Sequence, residues 1–244
     1  LSSIGASIMY VLIFISLYFE VFMLLAFIEA RRRKPHKPRK GHADEDLPSV
    51  AIVVPCFNEE KTLAATVNSL LALEYPKERL SIFIVDDGSK DKTLEIARGY
   101  EKEPQVRVFS KENGGKYTAL NLGITNATTD LVGCLDADSF AVPDALLEIA
   151  KKFNESPDVM AVTPAIKVHT PRNLLQLMQA AEYTFGIFYK KMFETLAAIP
   201  VLPGPFSIYR REVFERIGLF EHAHNTEDME IALRMQSRHM KIAN

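Results

Sequence analysis

From residue 49 onward, short apolar runs alternate with stretches of helical periodicity, and this rhythm constrains the fold more than any other feature of the chain. The runs at 50–54, 80–85, 106–109 and 131–135 read as strands. The segments 60–73, 91–100, 116–127 and 142–154 read as helices, the first with Leu63, Val67, Leu70 and Leu71 on one face. Strands this apolar are buried on both faces, so the expected architecture is α/β: a mainly parallel, Rossmann-like sheet with helices on both sides. Ligands of such sheets bind beyond the strand C-termini. The later part differs. A long strand is expected over 159–168 and a long helix over 174–199, with Leu174, Leu177, Met178, Ala181, Phe185, Phe188 and Met192 three or four apart. A short strand over 206–210 and a helix over 226–237, capped by Asn225 or Thr226, follow. No internal repeat or low-complexity tract is present.

Ahead of this region, residues 4–28 are almost continuously apolar, interrupted by small or hydroxyl residues and Glu20. At about 1.5 Å per residue such a helix is roughly 37 Å long, enough to cross a hydrocarbon core of about 30 Å. No basic region precedes it, as a cleaved leader would require. Arg31-Arg32-Arg33-Lys34 follows, with Lys37, Arg39 and Lys40 behind. Positive flanks stay cytoplasmic and contact anionic lipids, which puts the N-terminus outside the plasma membrane and the larger part in the cytosol. Glu20 is costly in mid-span and is expected to face other helices. The resulting division is a transmembrane helix (1–30), a basic juxtamembrane linker (31–48) and a catalytic domain (49–244). The chain starts at Leu1 and stops at Asn244 in what reads as the start of a strand, so truncation at the C-terminus is expected. A composition of 48% hydrophobic and 25% charged residues excludes overall disorder. The part from Gly41 onward is net acidic, which argues against nucleic acid as a partner. Cys56 and Cys134 fall in apolar runs and read as buried free thiols in a reducing compartment.

The punctuating motifs carry the chemistry. Asp136-Ala137-Asp138 ends an apolar run. On an extended strand residues i and i+2 point to one side, so both carboxylates can share a divalent ion. Oxygen ligands favour Mg²⁺ or Mn²⁺, which complete their shell with substrate phosphates and water. Asp86-Asp87-Gly88-Ser89 ends another run; an Asp-Gly turn explains it structurally, and a carboxylate there could also accept hydrogen bonds from a base or ribose. Asn113-Gly114-Gly115-Lys116 precedes a helix, where free N–H groups and Lys116 could attract a phosphate, or the segment could be a plain turn and cap. The spacing is neither a P-loop nor a dinucleotide-binding fingerprint. Glu227-Asp228 opens a helix; the pair could simply complement the helix dipole, or a carboxylate there could take a proton from an attacking hydroxyl.

Taken together and in this order, these elements resemble the family 2 glycosyltransferases with the GT-A fold. The matching stretches are Val53-Val54-Pro55-Cys56-Phe57-Asn58-Glu59, Val85-Asp86-Asp87-Gly88-Ser89, the segment 113–121, Asp136-Ala137-Asp138 and Thr226-Glu227-Asp228. Within that family the chain is most similar to membrane polysaccharide synthases of the poly-N-acetylglucosamine, chitin, hyaluronan and cellulose type. The resemblance implies that Asp87, with Asp86, contacts the uracil and ribose of a UDP-sugar, together with the turn containing Pro55, Asn58 and Glu59. It implies that Lys116 lies near the nucleotide or its phosphates, that Asp136 and Asp138 hold the metal and diphosphate, and that Asp228 is the general base. Gly204, Pro205 and Phe206, with Glu227, would lie on the acceptor side. One departure stands out. Those synthases carry Gln-x-x-Arg-Trp after the Thr-Glu-Asp motif, and this chain contains no Trp.

The function expected on these grounds is that of a membrane-anchored, Mg²⁺- or Mn²⁺-dependent, inverting glycosyltransferase. It would move a sugar, with N-acetylglucosamine as a candidate, from a UDP-sugar to a growing polysaccharide. One alternative is transfer of a single sugar to a polyprenyl phosphate or other lipid acceptor. Another, from a different class, is a non-catalytic membrane scaffold. Sugar identity, linkage and processivity are not written in these residues.

Overall fold

The computed structural model describes residues 3–32, 47–222 and 226–244. The basic run from Arg33, most of the linker, and Asn225 as a candidate cap lie outside the described residues, as do the side chains of Arg31 and Arg32. The chain divides into two units: residues 1–40 with 166–199, and residues 41–165 with 200–244.

In the first unit, helix α1 spans Ser3–Arg32 and contains the apolar segment Gly5–Ile28, long and apolar enough to cross a membrane. Its large side chains, from Ile8 to Leu25, are mostly exposed. The unit's second helix, α6 (Leu174–Thr195), is capped by Asn173, whose side chain accepts from the Gln176 N–H at 2.9 Å. It packs on α1, with Phe27 and Phe188 edge to face at 5.6 Å. Leu174, Leu175, Leu177, Met178 and Phe185 remain exposed, so the apolar spacing of this helix does not mark a buried face.

The second unit is built on a seven-stranded sheet in the order β3-β2-β1-β4-β6-β5-β7. Its strands are β1 (Val50–Cys56), β2 (Leu80–Asp86), β3 (Val106–Ser110), β4 (Leu131–Cys134), β5 (Val159–Val162), β6 (Ile208–Arg210) and β7 (Lys241–Ala243). β3, β2, β1 and β4 run parallel, and β6 lies antiparallel to both β4 and β5. Every residue of β1 is buried, as its unbroken apolar sequence requires of a central strand. The intervening helices are α2 (Leu63–Leu71), α3 (Thr93–Arg98), α4 (Lys116–Asn126) and α5 (Ala145–Glu155). α4 comes close to the sheet because Gly123 faces Val53; a Cβ at 123 would lie 2.7 Å from Val53 Cγ2. The core gathers Ile52, Leu63, Leu70, Ile82, Ile84, Leu131 and Leu146, all essentially inaccessible. Cys56 and Cys134 are free and buried.

Two expected strands are corrected, and one further helix is found. The strand expected over 159–168 stops at Val162. Thr163 still donates to Ala243 O at 2.9 Å, but Pro164 has no N–H and cannot continue the ladder. The strand expected from Phe206 begins at Ile208, because Phe206 takes a left-handed conformation (φ 63°) and closes a turn. A helix, α7 (Arg211–Ile217), was not anticipated; it buries Val213 and Phe214 and carries the i,i+4 ion pairs Arg211–Glu215 and Glu212–Arg216. The last helix, α8 (Glu227–Ser237), has Thr226 at its N-cap without a side-chain capping bond.

Candidate active site

At the C-terminal ends of β1, β2 and β4 the sheet opens into a cleft of about 490 Å³. Pro55, Glu59, Asp87, Lys116, Asp136 and Asp138 line it, with Cys56, Phe57 and Asn113. A parallel sheet leaves such a crevice where neighbouring strands diverge into loops, and here every loop carries one of the polar motifs.

Asp86 and Asp87 are adjacent but differ in role. Asp86 ends β2 buried, and its carboxylate accepts from the Ser89 N–H and the Ser110 hydroxyl, both at 3.3 Å. It braces the turn and does not line the cleft. Asp87 reaches the cleft. Its Oδ1 accepts from Lys111 Nζ at 2.6 Å and Gly114 N–H at 3.1 Å, and its Oδ2 accepts from Gly115 N–H at 2.9 Å. The glycine N–H groups expected to be free for a phosphate are therefore already satisfied by the protein's own carboxylate. Lys111 was missed from sequence, although it directly follows the β3 strand end. Gly88 (φ 77°) permits the close approach of this loop, since a Cβ there would lie 2.8 Å from Asn113 N. Asn58 (φ 57°) turns away to accept from the Lys90 N–H at 2.8 Å. Glu59 lines the cleft, with its backbone N–H held on Thr93 Oγ1 at 2.7 Å.

Asp136 and Asp138 do not sit on an extended strand, as the i, i+2 argument assumed. β4 ends at Cys134, and Ala137 and Asp138 form a turn. The Thr66 hydroxyl ties that turn down by donating to Ala137 O at 2.8 Å, and the Asp136 carbonyl accepts from Ser139 N–H at 3.0 Å. Asp138 is exposed at the rim, and Asp136 is half-buried. Asp136 Oδ1 is inaccessible to solvent. It pairs with Lys116 Nζ at 2.6 Å and, that ion pair apart, has no hydrogen-bond donor among the described residues. Among the described residues no group of three or more His, Cys, Asp or Glu side chains is placed to hold a metal ion. Two carboxylates in an open cleft nevertheless suit a hard cation that keeps water and substrate phosphate in its shell. The buried Asp136 oxygen, served by a lysine alone, fits that donor set.

From the other side, the turn containing Gly204, Pro205 and Phe206 lies against this pair. A Cβ on Gly204 would stand 3.0 Å from Lys116 Nζ and 3.2 Å from both Asp136 carboxylate oxygens. Three backbone links fix the turn: Phe206 N–H to Cys134 O at 2.7 Å, Cys134 Sγ to Gly204 O at 3.0 Å, and Gly204 N–H to Asp228 Oδ2 at 2.7 Å. The structure thus brings Asp228, at the start of α8, onto the segment that covers Lys116 and Asp136. Glu227 beside it is half-buried. Burial pushes the Asp228 carboxyl above the usual aspartate range; the Gly204 N–H and Lys116 oppose the rise, while Asp136 and Glu227 add to it. For Lys116, burial works against the charge, but the charge and hydrogen bonding of Asp136 prevail, aided by Asp228, and its proton is held more tightly than usual. Burial, then the neighbouring Asp86 and Glu59, push the Cys56 thiol up to about 12, so it is no nucleophile at neutral pH.

Comparison with known proteins identifies the family. Residues 51–218 match the family described as Glycosyl transferase family 2; the match ends before α8. The chain is 30% identical over 232 residues to poly-beta-1,6-N-acetyl-D-glucosamine synthase of Staphylococcus aureus strain COL, covering 94% of this chain and 56% of that protein. The chain spans about half the length of the curated relatives it matches. Among solved structures it resembles the mannosyltransferase PcManGT of Pyrobaculum calidifontis in complex with GDP-Man and Mn²⁺, with a TM-score of 0.69 and 24% identity over 91% of this chain and 61% of that one. It also resembles S. aureus TarS 1-349 in complex with UDP-GlcNAc, with a TM-score of 0.56 and 21% identity over 76% of this chain and 52% of that one. At these identities the structural likenesses speak to the fold.

Proposed function

The chain belongs to glycosyl transferase family 2, and from that premise we propose that it transfers a sugar from a UDP-sugar, with inversion, to a growing polysaccharide. The observation that carries the reading is the meeting of Asp87, Asp136, Asp138 and Asp228 around one sheet edge, with Asp228 joined to the Asp136 side through Gly204. The synthase relative supports N-acetylglucosamine as the sugar and polysaccharide as the acceptor. The complexes of PcManGT with GDP-Man and of TarS with UDP-GlcNAc fit a nucleotide-sugar donor on this fold.

In this reading Asp87 receives the nucleoside at the floor of the cleft, beside Pro55 and Glu59. Asp136 and Asp138 would hold Mg²⁺ or Mn²⁺, which when bound would neutralise charge on the leaving UDP. Asp228 accepts the proton of the acceptor hydroxyl as that oxygen attacks the anomeric carbon, and its raised proton affinity suits it to the task. One displacement inverts the carbon without a sugar–enzyme bond. Gly204, Pro205, Phe206 and Glu227 form the wall on the acceptor side, and a side chain at Gly204 would crowd Lys116 and Asp136.

We further propose that α1 anchors the protein in the plasma membrane with its N-terminus outside, that residues 31–48 form the basic linker, and that 49–244 is the cytoplasmic catalytic part. The exposed apolar surfaces of α1 and α6 within one unit support contact with lipid. The presence of Asp136, Asp138 and Asp228 together favours catalysis over a scaffold role.

The test is calorimetric titration of the full chain in detergent with UDP, with and without Mn²⁺. Metal-dependent binding that is lost in both Asp136→Asn and Asp138→Asn is expected. Equal UDP binding with and without the ion removes the metal from the reading.

A further inference from the structure

We propose that Lys116 is a resting counter-ion that occupies the cation side of Asp136 and must leave it when a divalent ion binds. The inference rests on the assignment of Asp136 as a metal ligand and goes beyond it. Lys116 opens α4, one residue after Gly115 (φ 93°), and its Nζ stands 2.6 Å from Asp136 Oδ1. That oxygen is inaccessible to solvent and has no hydrogen-bond donor among the described residues beyond this ion pair. An ionised carboxylate oxygen cut off from water is costly unless a cation meets it, so without a metal Lys116 is what makes the half-buried Asp136 tolerable.

A Mg²⁺ or Mn²⁺ ion held by the same carboxylate would stand close to the ammonium, and two positive charges that close repel each other. The wall opposite leaves little room for both, because the Gly204 backbone approaches Lys116 Nζ and the Asp136 carboxylate together, and its N–H already serves Asp228. Lys116 is half-exposed, with 37% of its side chain accessible, and its stem starts from a helix end next to a glycine. It is therefore free to swing into the cleft, where an arriving diphosphate would receive its ammonium. Lys116 then has two alternating partners: Asp136 at rest, and phosphate oxygens in the loaded state. Metal binding without nucleotide would be weakened by competition, and metal and nucleotide would bind cooperatively, since the phosphate stabilises the displaced lysine.

The experiment is direct measurement of Mn²⁺ binding, by the paramagnetic resonance signal of free Mn²⁺, to the full chain in detergent without nucleotide. The proteins are wild type, Lys116→Met, Lys116→Arg and Asp136→Asn. Removing a partly exposed ion pair should make Lys116→Met bind Mn²⁺ about two- to fivefold more tightly than wild type. Lys116→Arg, which keeps a cation beside Asp136, should bind as weakly as wild type. UDP should tighten Mn²⁺ binding in wild type and do so less in Lys116→Met. Equal or weaker Mn²⁺ binding by Lys116→Met, with Asp136→Asn still losing the ion, overturns the counter-ion role and leaves the metal assignment standing. Unchanged Mn²⁺ binding by Asp136→Asn overturns both. The Lys116→Arg and Asp136→Asn arms decide the matter even should Lys116→Met fold poorly, because tight binding by Lys116→Arg also contradicts competition.

Discussion

Gly204 donates its backbone N–H to Asp228 Oδ2 at 2.7 Å, and a Cβ on it would stand 3.0 Å from Lys116 Nζ and 3.2 Å from the Asp136 carboxylate oxygens. One residue without a side chain thus sets the distance between the carboxylate proposed to activate the acceptor and the carboxylate proposed to hold the donor's metal. Gly204→Val should cut turnover about a hundredfold or more, because a 1 Å misplacement of reacting groups costs on that order. UDP affinity should change less. Steady-state kinetics alongside UDP calorimetry separates the two.

Asp228 is held above the ordinary aspartate range, chiefly by burial. A raised folded-state value means that the protonated form stabilises the fold, and this stabilisation is lost as pH rises through that value. Asp228→Asn should therefore melt about 1–3 °C higher than wild type at pH 7. The gain should shrink as the buffer approaches pH 4, near the unfolded value of about 3.9 for aspartate. Thermal melts at both pH values check the sign. In the wild type, transfer should fall on the acid side as Asp228 takes up its proton, at a pH above the ordinary aspartate range.

Asp87 binds Lys111 and the N–H groups of Gly114 and Gly115 at once. Asp87→Ala strands these donors and should cost about 2–4 kcal/mol in urea denaturation. It should also abolish UDP binding. Asp86→Ala should lower stability through the Ser89 and Ser110 bonds and leave UDP affinity within about threefold of wild type, as one or two lost hydrogen bonds remote from a ligand imply.

α1 should anchor the chain through its apolar surface. Ile13→Arg combined with Leu17→Arg adds about 2.5–3.5 kcal/mol per charge at the helix centre. Fractionation of cells should then move the protein from the membrane pellet to the soluble fraction.

Much of the fold was legible because central strands declare themselves. The runs from Val50, Leu80, Val106 and Leu131 end where β1, β2, β3 and β4 end, to within two residues, and only β3, at the sheet edge, carries a charged residue, Arg107, within its apolar run. Later elements were harder. The strand from Val159 is shorter than its apolar pattern suggests, because the apolar residues continue past Pro164 while its missing N–H ends the ladder. α7 escaped notice although Val213, Phe214 and its two i,i+4 ion pairs were in plain sequence. The cleft residues Pro55, Glu59, Asp87, Lys116, Asp136 and Asp138 were all named from motifs at strand ends. What sequence could not convey was who partners whom. Asp87 takes Lys111 and the glycine loop, Asp86 ties its turn to Ser110 of β3, and Asp136 meets Lys116. The Asp87–Lys111 and Asp136–Lys116 pairs join residues far apart in sequence, which no local spacing encodes.

The most direct test pairs UDP binding with turnover in Asp228→Asn. With Mn²⁺ and UDP-N-acetylglucosamine, the variant should bind UDP within about twofold of wild type and lose at least about a hundredfold in sugar transfer, as expected for removal of a general base. Wild-type transfer by a variant that folds and binds UDP normally would contradict the account at its centre.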